Sequence, residues 1–459
     1  MKGLLSFKRG VAVIVASVLF SLSFCGCQPQ GPGGQDHKFD TVGYYAFGGV
    51  TQSWVNYWLD CGIDTIELLD IGWYFKAGDR LKAYQEQMKN EIELAQKNGI
   101  KVYVVLLTNL EQWTGPEDYG NGSGKVFDPG NAEKMAERLA YIEDNIKYWN
   151  MADGFNLFAG DPGGVLGLPT VAGGLTFYID MGKKVHALVK EHAPDAEYNL
   201  NIWAVSQYVQ AVANPQSVHF WHSEGKLGRQ IIEMKNLLGP EIGIEIPGHD
   251  YYRALALRLY EKHDEYPESY FPSKEDVAAM NEKGTARTWA FCHFLMDELD
   301  DGDTSGNSRT TLPSLNTRYI YKYVESMRNV GMSGVIAGNA TLNNYANLYA
   351  FARFCHDPEA TPETVLREYA NMLVTEEGAD QLFEVLKYIE NDANWHQKLP
   401  EREQVPLFET TIKTPQEAEA ILQQVTVRTG SSLSEFSLPE TPDESIRKLK
   451  QRIAIMYNN

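Results

Sequence analysis

The chain has 459 residues, and its 61 acidic side chains outnumber 41 basic ones, for a formal net charge of −20. Such an acidic chain is unsuited to nucleic acid, because phosphate binding needs clustered Lys and Arg side chains. We therefore expect no nucleic-acid partner. A neutral carbohydrate fits an acidic surface, whereas a polyanionic one would need a local pocket of Arg or Lys.

The first 27 residues have the order of an export signal. A basic segment (residues 2–9) and an apolar run (residues 11–24) precede Gly26 and Cys27. The run is too short to span a membrane as a mature helix. Its ending resembles the lipobox of bacterial lipoproteins, which implies cleavage before Cys27 and lipidation of that thiol. We expect a protein of the cell envelope, in the periplasm or on the outer-membrane surface, that touches the membrane through this lipid anchor only; a plain secretory signal is the alternative.

Residues 28–38 are rich in Gly, Pro and Gln and predict a flexible tether. Three further cysteines, Cys61, Cys292 and Cys355, are far apart in sequence. Their number and spacing predict neither a disulfide framework nor a zinc site, so we expect buried thiols.

Short apolar strands then alternate with amphipathic helices, which is the pattern of a parallel α/β fold. The number of repeats favours a closed (β/α)8 TIM barrel over residues 39–374, and no Gly-rich dinucleotide motif follows the first strand. From residue 375 to 459 the sequence predicts a helical C-terminal extension. Nine segments compete for the eight strand positions: 41–47, 63–71, 100–108, 152–159, 197–203, 217–221, 241–246, 287–294 and 333–339.

Two of the first helices are followed by Gly-Ile, at Gly62 and Gly99. Glycine suits the C-terminal cap of a helix, and the β-branched residue after it suits the start of a strand. Both glycines are therefore predicted to end helices that pack on the barrel.

The active site of a barrel lies at the C-terminal ends of its strands. The fourth predicted strand delivers Asp161 to its tip, where Pro162, Gly163 and Gly164 predict a tight turn. A carboxyl beside the apolar Phe158 is a candidate general acid, because desolvation raises its pKa. The alternative is that Asp161 only caps the turn.

Hydrolysis of a glycosidic bond usually uses a second carboxylate, about 5 to 10 Å from the first. The candidates are Glu224, Glu245 and Asp250 for the catalytic partner, with Glu67 and Asp70 also near strand ends. Glu67 and Glu245 are predicted to point into the barrel, where a carboxylate must be functional or paired.

Aromatic and amide side chains collect at the same strand ends and suit sugar rings, which present apolar faces and hydroxyl edges. Any single one of the aromatics is equally explained as core packing. The predicted substrate-binding residues are Tyr44, Tyr45, Glu67, Asp70, Trp73, Asn109, Trp203, Trp221, His222, His249, Tyr251, Asn339 and Asn343.

His219, His222 and His249 raise the alternative of a catalytic zinc. His219 and His222 fall on opposite faces of a strand, which argues against shared ligation. The acidic run 300–306 begins like a calcium loop, but its twelfth position lacks the usual Glu. We therefore predict no metal and no cofactor.

Two segments resemble known enzymes. GVIAGNATLNNYANLYAFARFCHDPEATPETVLREYANML (334–373) is similar to the last strand and following helices of secreted barrel glycosidases, notably alpha-glucuronidases and beta-N-acetylglucosaminidase-like enzymes, and the stretch 153–165 resembles the fourth strand of alpha-glucuronidases. The resemblance implies that Asp161 is the general acid, that Glu245 and Asp250 supply a base or bind substrate, and that Asn339 and Asn343 line the sugar pocket. The alpha-glucuronidases have Glu where this chain has Asp161, and the adjacent acidic pair of the hexosaminidases is missing because Gly160 precedes Asp161.

Three functions follow as hypotheses. The first is a monomeric glycoside hydrolase acting on an extracytoplasmic polysaccharide or glycan. The second is a non-catalytic glycan-binding lipoprotein on a barrel scaffold, and the third a metal-dependent carbohydrate deacetylase or esterase. The absence of a G-x-S-x-G motif disfavours a serine hydrolase.

Overall fold

The structure is a computed structural model. It describes residues 38–46, 48–75, 78–108, 110–112, 125–128, 130–158, 171–201, 235–247, 274–282, 286–290, 315–338, 345–392, 407–428 and 441–457.

Eight parallel strands form a closed barrel, which confirms the predicted fold class. A short hairpin, β4 and β5, follows the third barrel strand and was not predicted. The strands in chain order are β1 Thr41–Ala46, β2 Thr65–Leu69, β3 Lys101–Leu107, β4 Leu110–Gln112, β5 Lys125–Val126, β6 Gly154–Phe158, β7 Glu197–Asn201, β8 Gly243–Pro247, β9 Ala286–Ala290 and β10 Gly334–Gly338.

Eight of the nine predicted strands are the strands of this barrel. The ninth, 217–221, lies outside the described residues. In the barrel, β7 pairs directly with β8.

The helices follow the strands as the alternation predicts, and several have recognisable caps. The hydroxyl of Thr51 accepts from the backbone N–H of Trp54, and the amide oxygen of Asn131 accepts from that of Lys134. The described helices are α1 Gln52–Cys61, α2 Asp79–Lys97, α3 Ala132–Tyr148, α4 Val171–His192, α5 Lys274–Asn281, α6 Thr317–Val330, α7 Tyr345–His356, α8 Pro362–Leu373, α9 Glu376–Asn391, α10 Pro415–Gln424 and α11 Pro442–Met456, with a 3₁₀ helix at Gly72–Phe75.

Alternate residues of each strand serve two different layers. On β1, Val42, Tyr44 and Ala46 join the large apolar core between the strands and the helices, whereas Tyr45 belongs to a smaller cluster inside the barrel. This period of two sends polar residues of other strands into the barrel interior as well. Polar side chains with a functional role can therefore be held in the barrel interior.

The C-terminal helices pack around a second apolar core, separate from that of the barrel. It is built by α8, α9, α10 and α11, together with Leu315 ahead of α6 and Ala346 of α7. The predicted boundary at residue 375 thus falls inside this cluster, since α8 contributes Leu366, Tyr369 and Leu373 to it.

Within the part of the chain that the structure describes, no helix has the length and apolar character needed to cross a membrane. The predicted signal, residues 1–27, and all of the predicted tether 28–38 except Lys38 lie outside that part.

Candidate active site

Two buried carboxylates face each other inside the barrel. Glu67 projects from β2 and Glu245 from β8, and they are 1% and 0% exposed. The amide nitrogen of Asn156, on β6, donates to Glu67 Oε1 at 2.7 Å and to Glu245 Oε1 at 3.1 Å. These are the second, fourth and sixth strands of the barrel, and alternate strands are the ones that contribute to one interior layer.

Two further amides extend this contact. Asn199 Nδ2 donates to Asn156 Oδ1 at 3.0 Å, and Asn201 Nδ2 donates to Glu245 Oε2 at 3.2 Å. Both residues are on β7, two positions apart, so they face the same side of the strand. Glu245 is thereby held through both of its oxygens.

The Asn156 amide fills the space between Glu67 and Glu245. A scissile bond therefore cannot lie between these two carboxylates, as it does between the acid and base of a glycosidase. Burying two carboxylates with amide partners is costly, and apolar residues usually fill such layers. The pair is thus a polar arrangement within the barrel that simple packing does not require.

Asp70, directly after β2, has a different environment. Its Oδ1 accepts from the Gly72 N–H at 2.8 Å and from Tyr141 Oη at 3.0 Å, and its Oδ2 accepts from Asn145 Nδ2 at 2.8 Å. Burial raises the pKa of Asp70, while these hydrogen bonds and the nearby charge of Arg138 act in the opposite direction. Because its partners are the turn and α3, Asp70 ties the β2 loop to a helix.

The predicted binding aromatics separate into two groups. Tyr44 is fully buried on the outer face of β1, with its ring 5.4 Å from that of Trp58 on α1, so it packs the strand against a helix. Tyr45 faces the barrel interior together with Leu69 and Phe158. The sequence did not distinguish these neighbours, and the structure does not bring Tyr44 to the site.

Trp73 lies on the 3₁₀ helix that follows β2 and is only partly buried. The guanidinium carbon of Arg138 is 3.9 Å from the centre of its ring, and the ring of Tyr141 meets it edge-on at 5.1 Å. Trp73 is thus placed at the C-terminal end of a barrel strand, as predicted for a sugar-binding residue.

The remaining predicted site residues lie outside the described part of the chain. They are the catalytic candidates Asp161, Glu224 and Asp250, the binding candidates Asn109, Trp203, Trp221, His222, His249, Tyr251, Asn339 and Asn343, and the lipidation site Cys27.

The described residues contain no group of His, Cys, Asp and Glu side chains arranged to hold a metal ion. Cys61 and Cys355 are free and buried, as predicted for both, while Cys292 is outside the described residues. Burial raises the pKa of the Cys61 thiol and removes it as a nucleophile at neutral pH.

Sequence reasoning missed Asn156, Asn199, Asn201 and Arg138. The signal for the asparagines was present, because Asn156 interrupts an otherwise apolar strand and Asn199 and Asn201 alternate with Tyr198 and Leu200 on theirs. Arg138 left no such signal, since its partner, the carbonyl of Leu107 at 3.0 Å, lies on a strand far away in sequence.

The sequence matches no protein-family profile and no curated protein. Among solved structures, a GH138 enzyme targeting pectin rhamnogalacturonan II is similar, with a TM-score of 0.53 at 9% identity over 95% of this chain. This chain spans 58% of the length of that enzyme. A Thermobaculum terrenum O-GlcNAc hydrolase mutant gives a TM-score of 0.49 at 10% identity over 92% of this chain and 77% of that one.

A Bacteroidetes-affiliated GH5 cellulase gives a TM-score of 0.42 at 10% identity, covering 71% of this chain and 94% of the cellulase. These neighbours are barrel glycoside hydrolases. At such low identity, the likeness to the GH138 enzyme shows the fold that this chain adopts.

Proposed function

We propose that the protein is a glycoside hydrolase that cleaves a glycosidic bond in an extracytoplasmic polysaccharide or glycan by carboxylate general acid/base chemistry. The observation that carries the proposal is the buried pair Glu67 and Glu245, held on one amide inside a closed barrel. The fold shared with a GH138 enzyme is consistent with it, but a fold alone does not assign a reaction.

The proposed acid is Asp161, which follows β6 in sequence and would protonate the leaving oxygen. Glu245 is the proposed opposing carboxylate, with Asp250 and Glu224 as the other candidates for that role. Asn156 and Asn201 fix the orientation of Glu245 through its two oxygens. Fixed orientation matters because a catalytic group must be held close to its productive geometry.

The charge of the pair also suits this reaction. Glycoside hydrolysis passes through a transition state resembling an oxocarbenium ion, which carries positive charge on the sugar ring. Buried negative charge stabilises a developing cation more strongly than charge in water does, since the interior screens it less. Glu67 would contribute through its charge, without contact with the reacting atoms.

The first test is hydrolysis of a panel of aryl-glycosides and host and plant glycans by the purified protein, beside Asp161→Asn and Glu245→Gln. We expect both variants to lose activity by about a hundredfold or more while circular dichroism shows an unchanged fold. Glu197→Gln is the matched control, since Glu197 begins β7 at the opposite end of the barrel, where its Oε2 accepts from Tyr103 Oη at 2.7 Å.

Azide separates the two roles open to Glu245. If its carboxylate acts as nucleophile or base, azide should restore turnover to Glu245→Ala; if only its charge acts, azide should not. Hydrolysis that survives Asp161→Asn would remove Asp161 as the acid. No hydrolysis of any substrate, with glycan binding equal in all variants, would establish the non-catalytic binding protein instead.

We also propose that Cys27 carries a lipid and anchors the protein in the cell envelope, on the strength of the sequence pattern of residues 2–27. Incorporation of labelled palmitate into the expressed protein, abolished by Cys27→Ser, tests this. Labelling that persists in Cys27→Ser, or a soluble protein cut elsewhere, would contradict it.

A further inference from the structure

The turn that carries Trp73 is fixed in place by hydrogen bonds that connect it to α3. It begins at Gly72, whose N–H donates to Asp70, and Asp70 is in turn bound by Tyr141 and Asn145 of α3. A Cβ on Gly72 would lie 2.6 Å from Tyr141 Oη, so the backbone of the turn lies directly against that helix. The turn is therefore preorganised.

One face of the Trp73 indole packs against a cationic side chain. The Arg138 guanidinium lies over that face, with its central carbon 3.9 Å from the ring centre, and Arg138 is 0% exposed. The ring of Tyr141 packs nearly perpendicular to the indole, with the two ring centres 5.1 Å apart. Because Arg138 is fully buried and Trp73 is only partly buried, the exposed part of Trp73 lies away from the guanidinium.

Arg138 is itself anchored where it lies. Its Nη1 donates to the carbonyl of Leu107, the last residue of β3, at 3.0 Å. The 3₁₀ helix of Trp73 also contacts β4, the first strand of the hairpin after β3. Trp73 thus lies between the exit of β2 and this hairpin, at the C-terminal end of the barrel strands, where the active sites of such barrels lie.

From this geometry we infer that Trp73 is a stacking platform of the substrate cleft, on which the apolar C–H face of a pyranose ring packs. A flat aromatic surface buries such a face while leaving the hydroxyl edge in water. A platform already held by Arg138 and Tyr141 loses little conformational freedom on binding, which favours affinity. The inference rests on the proposed function for its ligand class, a glycan chain.

The platform can be tested separately from hydrolysis by measuring binding to Asp161→Asn, in which no turnover is expected. The probes are cellohexaose, xylohexaose, mannohexaose and chitohexaose, each titrated calorimetrically. We expect at least one probe to bind, and Trp73→Ala in the same background to raise its Kd by about tenfold or more. Trp73→Phe, which keeps a ring over Arg138, should raise Kd by less.

Tyr148→Ala is the control, because Tyr148 is an exposed aromatic of α3, 37% accessible, whose hydroxyl donates to Glu86. It should leave Kd unchanged. In an active enzyme, Trp73→Ala should raise KM and leave kcat nearly unchanged, as expected for binding energy realised equally in ground and transition states.

A measurement on the unsubstituted protein covers the case in which Trp73→Ala fails to fold. N-bromosuccinimide should oxidise Trp73 readily, as mapped by mass spectrometry, and a bound hexasaccharide should slow that oxidation severalfold. Equal affinity of Trp73→Ala and its parent, or the failure of all four probes to bind or protect, overturns the platform. If Trp73→Ala hydrolyses glycans as well as its parent, the platform is wrong and the proposed hydrolase activity stands. If the unsubstituted protein hydrolyses nothing but binds a probe through Trp73, the hydrolase activity is wrong and the platform stands.

Discussion

Asn156 connects the polar side chains inside the barrel through its amide group. One nitrogen serves Glu67 and Glu245, and the oxygen of the same side chain accepts from Asn199. Hydrogen bonds to charged groups contribute about 1.5 to 3 kcal/mol each to stability. Leaving a buried charged group without its donor lowers stability by more than the bond contributed. Asn156 therefore stabilises two buried acidic side chains at once.

We expect Asn156→Ala to lower the free energy of unfolding by about 3 kcal/mol, because it leaves both carboxylates without this donor. In a Glu67→Gln background the same substitution should cost clearly less, since only one buried charge then depends on it. Chemical denaturation of the four proteins of this cycle measures the coupling. Additive losses would show that Asn156 does not bind the two carboxylates jointly.

Lys235 is a second buried charge with a measurable consequence. It is 1% exposed, its ammonium donates to the carbonyl of Ile242, and burial lowers its pKa to about 8. The unfolded chain keeps the ordinary lysine pKa of about 10.4. Between these two values the unfolded state binds more protons, so the contribution of Lys235 to stability increases as pH rises.

The free energy of unfolding of the unsubstituted protein should therefore rise by about 2 to 3 kcal/mol, relative to Lys235→Met, between pH 7 and pH 10. Tyrosine ionisation in the unfolded chain is common to both proteins and cancels in the difference. Lys183→Met, at an exposed position of α4, should show no such trend. Parallel pH profiles for Lys235→Met and its parent would contradict the lowered pKa.

Residues differ in how far the sequence predicts them. Glu67 and Glu245 were predicted to point inward because a charged residue within an apolar strand is conspicuous. Arg138 and Asn145 lie on the buried face of α3, but a helical pattern counts only apolar positions, and their partners Leu107 and Asp70 are distant in sequence. Long-range polar pairing of this kind requires the fold.

At the scale of elements, the helix ends were the most predictable feature. Gly62 caps α1 with φ 82°, and Gly99, just after α2, has φ 84°, a left-handed conformation that disfavours side chains. Both had been predicted from the Gly-Ile pattern. The hairpin β4 and β5 gave no such signal, because strands of three and two residues are too short for an alternating pattern.

Alanine substitutions of Gly62 and Gly99 form a matched pair, because both glycines have a left-handed backbone. Gly99→Ala should cost about 1 kcal/mol from the backbone alone, because no atom lies within 4 Å of its added Cβ. Gly62→Ala should cost at least about 1 kcal/mol more, since its Cβ would lie 2.6 Å from the His356 ring and disturb the bond from that ring to the Gly62 carbonyl. Thermal denaturation of both variants measures the difference, and equal losses would show that His356 moves aside freely.

At the scale of the whole molecule, two apolar cores lie within the described chain, one around the barrel and one among the C-terminal helices. The alternation of strands and helices predicted both regions. It did not locate the packing boundary, because α8 contributes Val365 to the barrel core but Leu366, Tyr369 and Leu373 to the second core.

A buried ion pair connects the two regions. Glu390 of α9 accepts from Arg318 Nε at 3.0 Å, and it also accepts from the backbone N–H of Arg318 and the hydroxyl of Thr317. The carboxylate thus satisfies the first turn of α6, a helix that precedes the last barrel strand. Arg318 and Glu390 are 2% and 1% exposed, so neither charge has water to replace its partner.

Glu390→Gln should lower the free energy of unfolding by about 3 kcal/mol, because it removes the carboxylate charge bound to the buried Arg318 guanidinium. Asp380→Asn, which removes the partner of Arg367 in an exposed pair, is the control and should cost less than about 1 kcal/mol. Hydrogen exchange locates the loss: in Glu390→Gln, amides of α9 and α10 should exchange faster, while those of β1 to β3 keep their protection, since cooperative units open separately. Equal acceleration in the barrel strands would mean that both cores unfold as one unit.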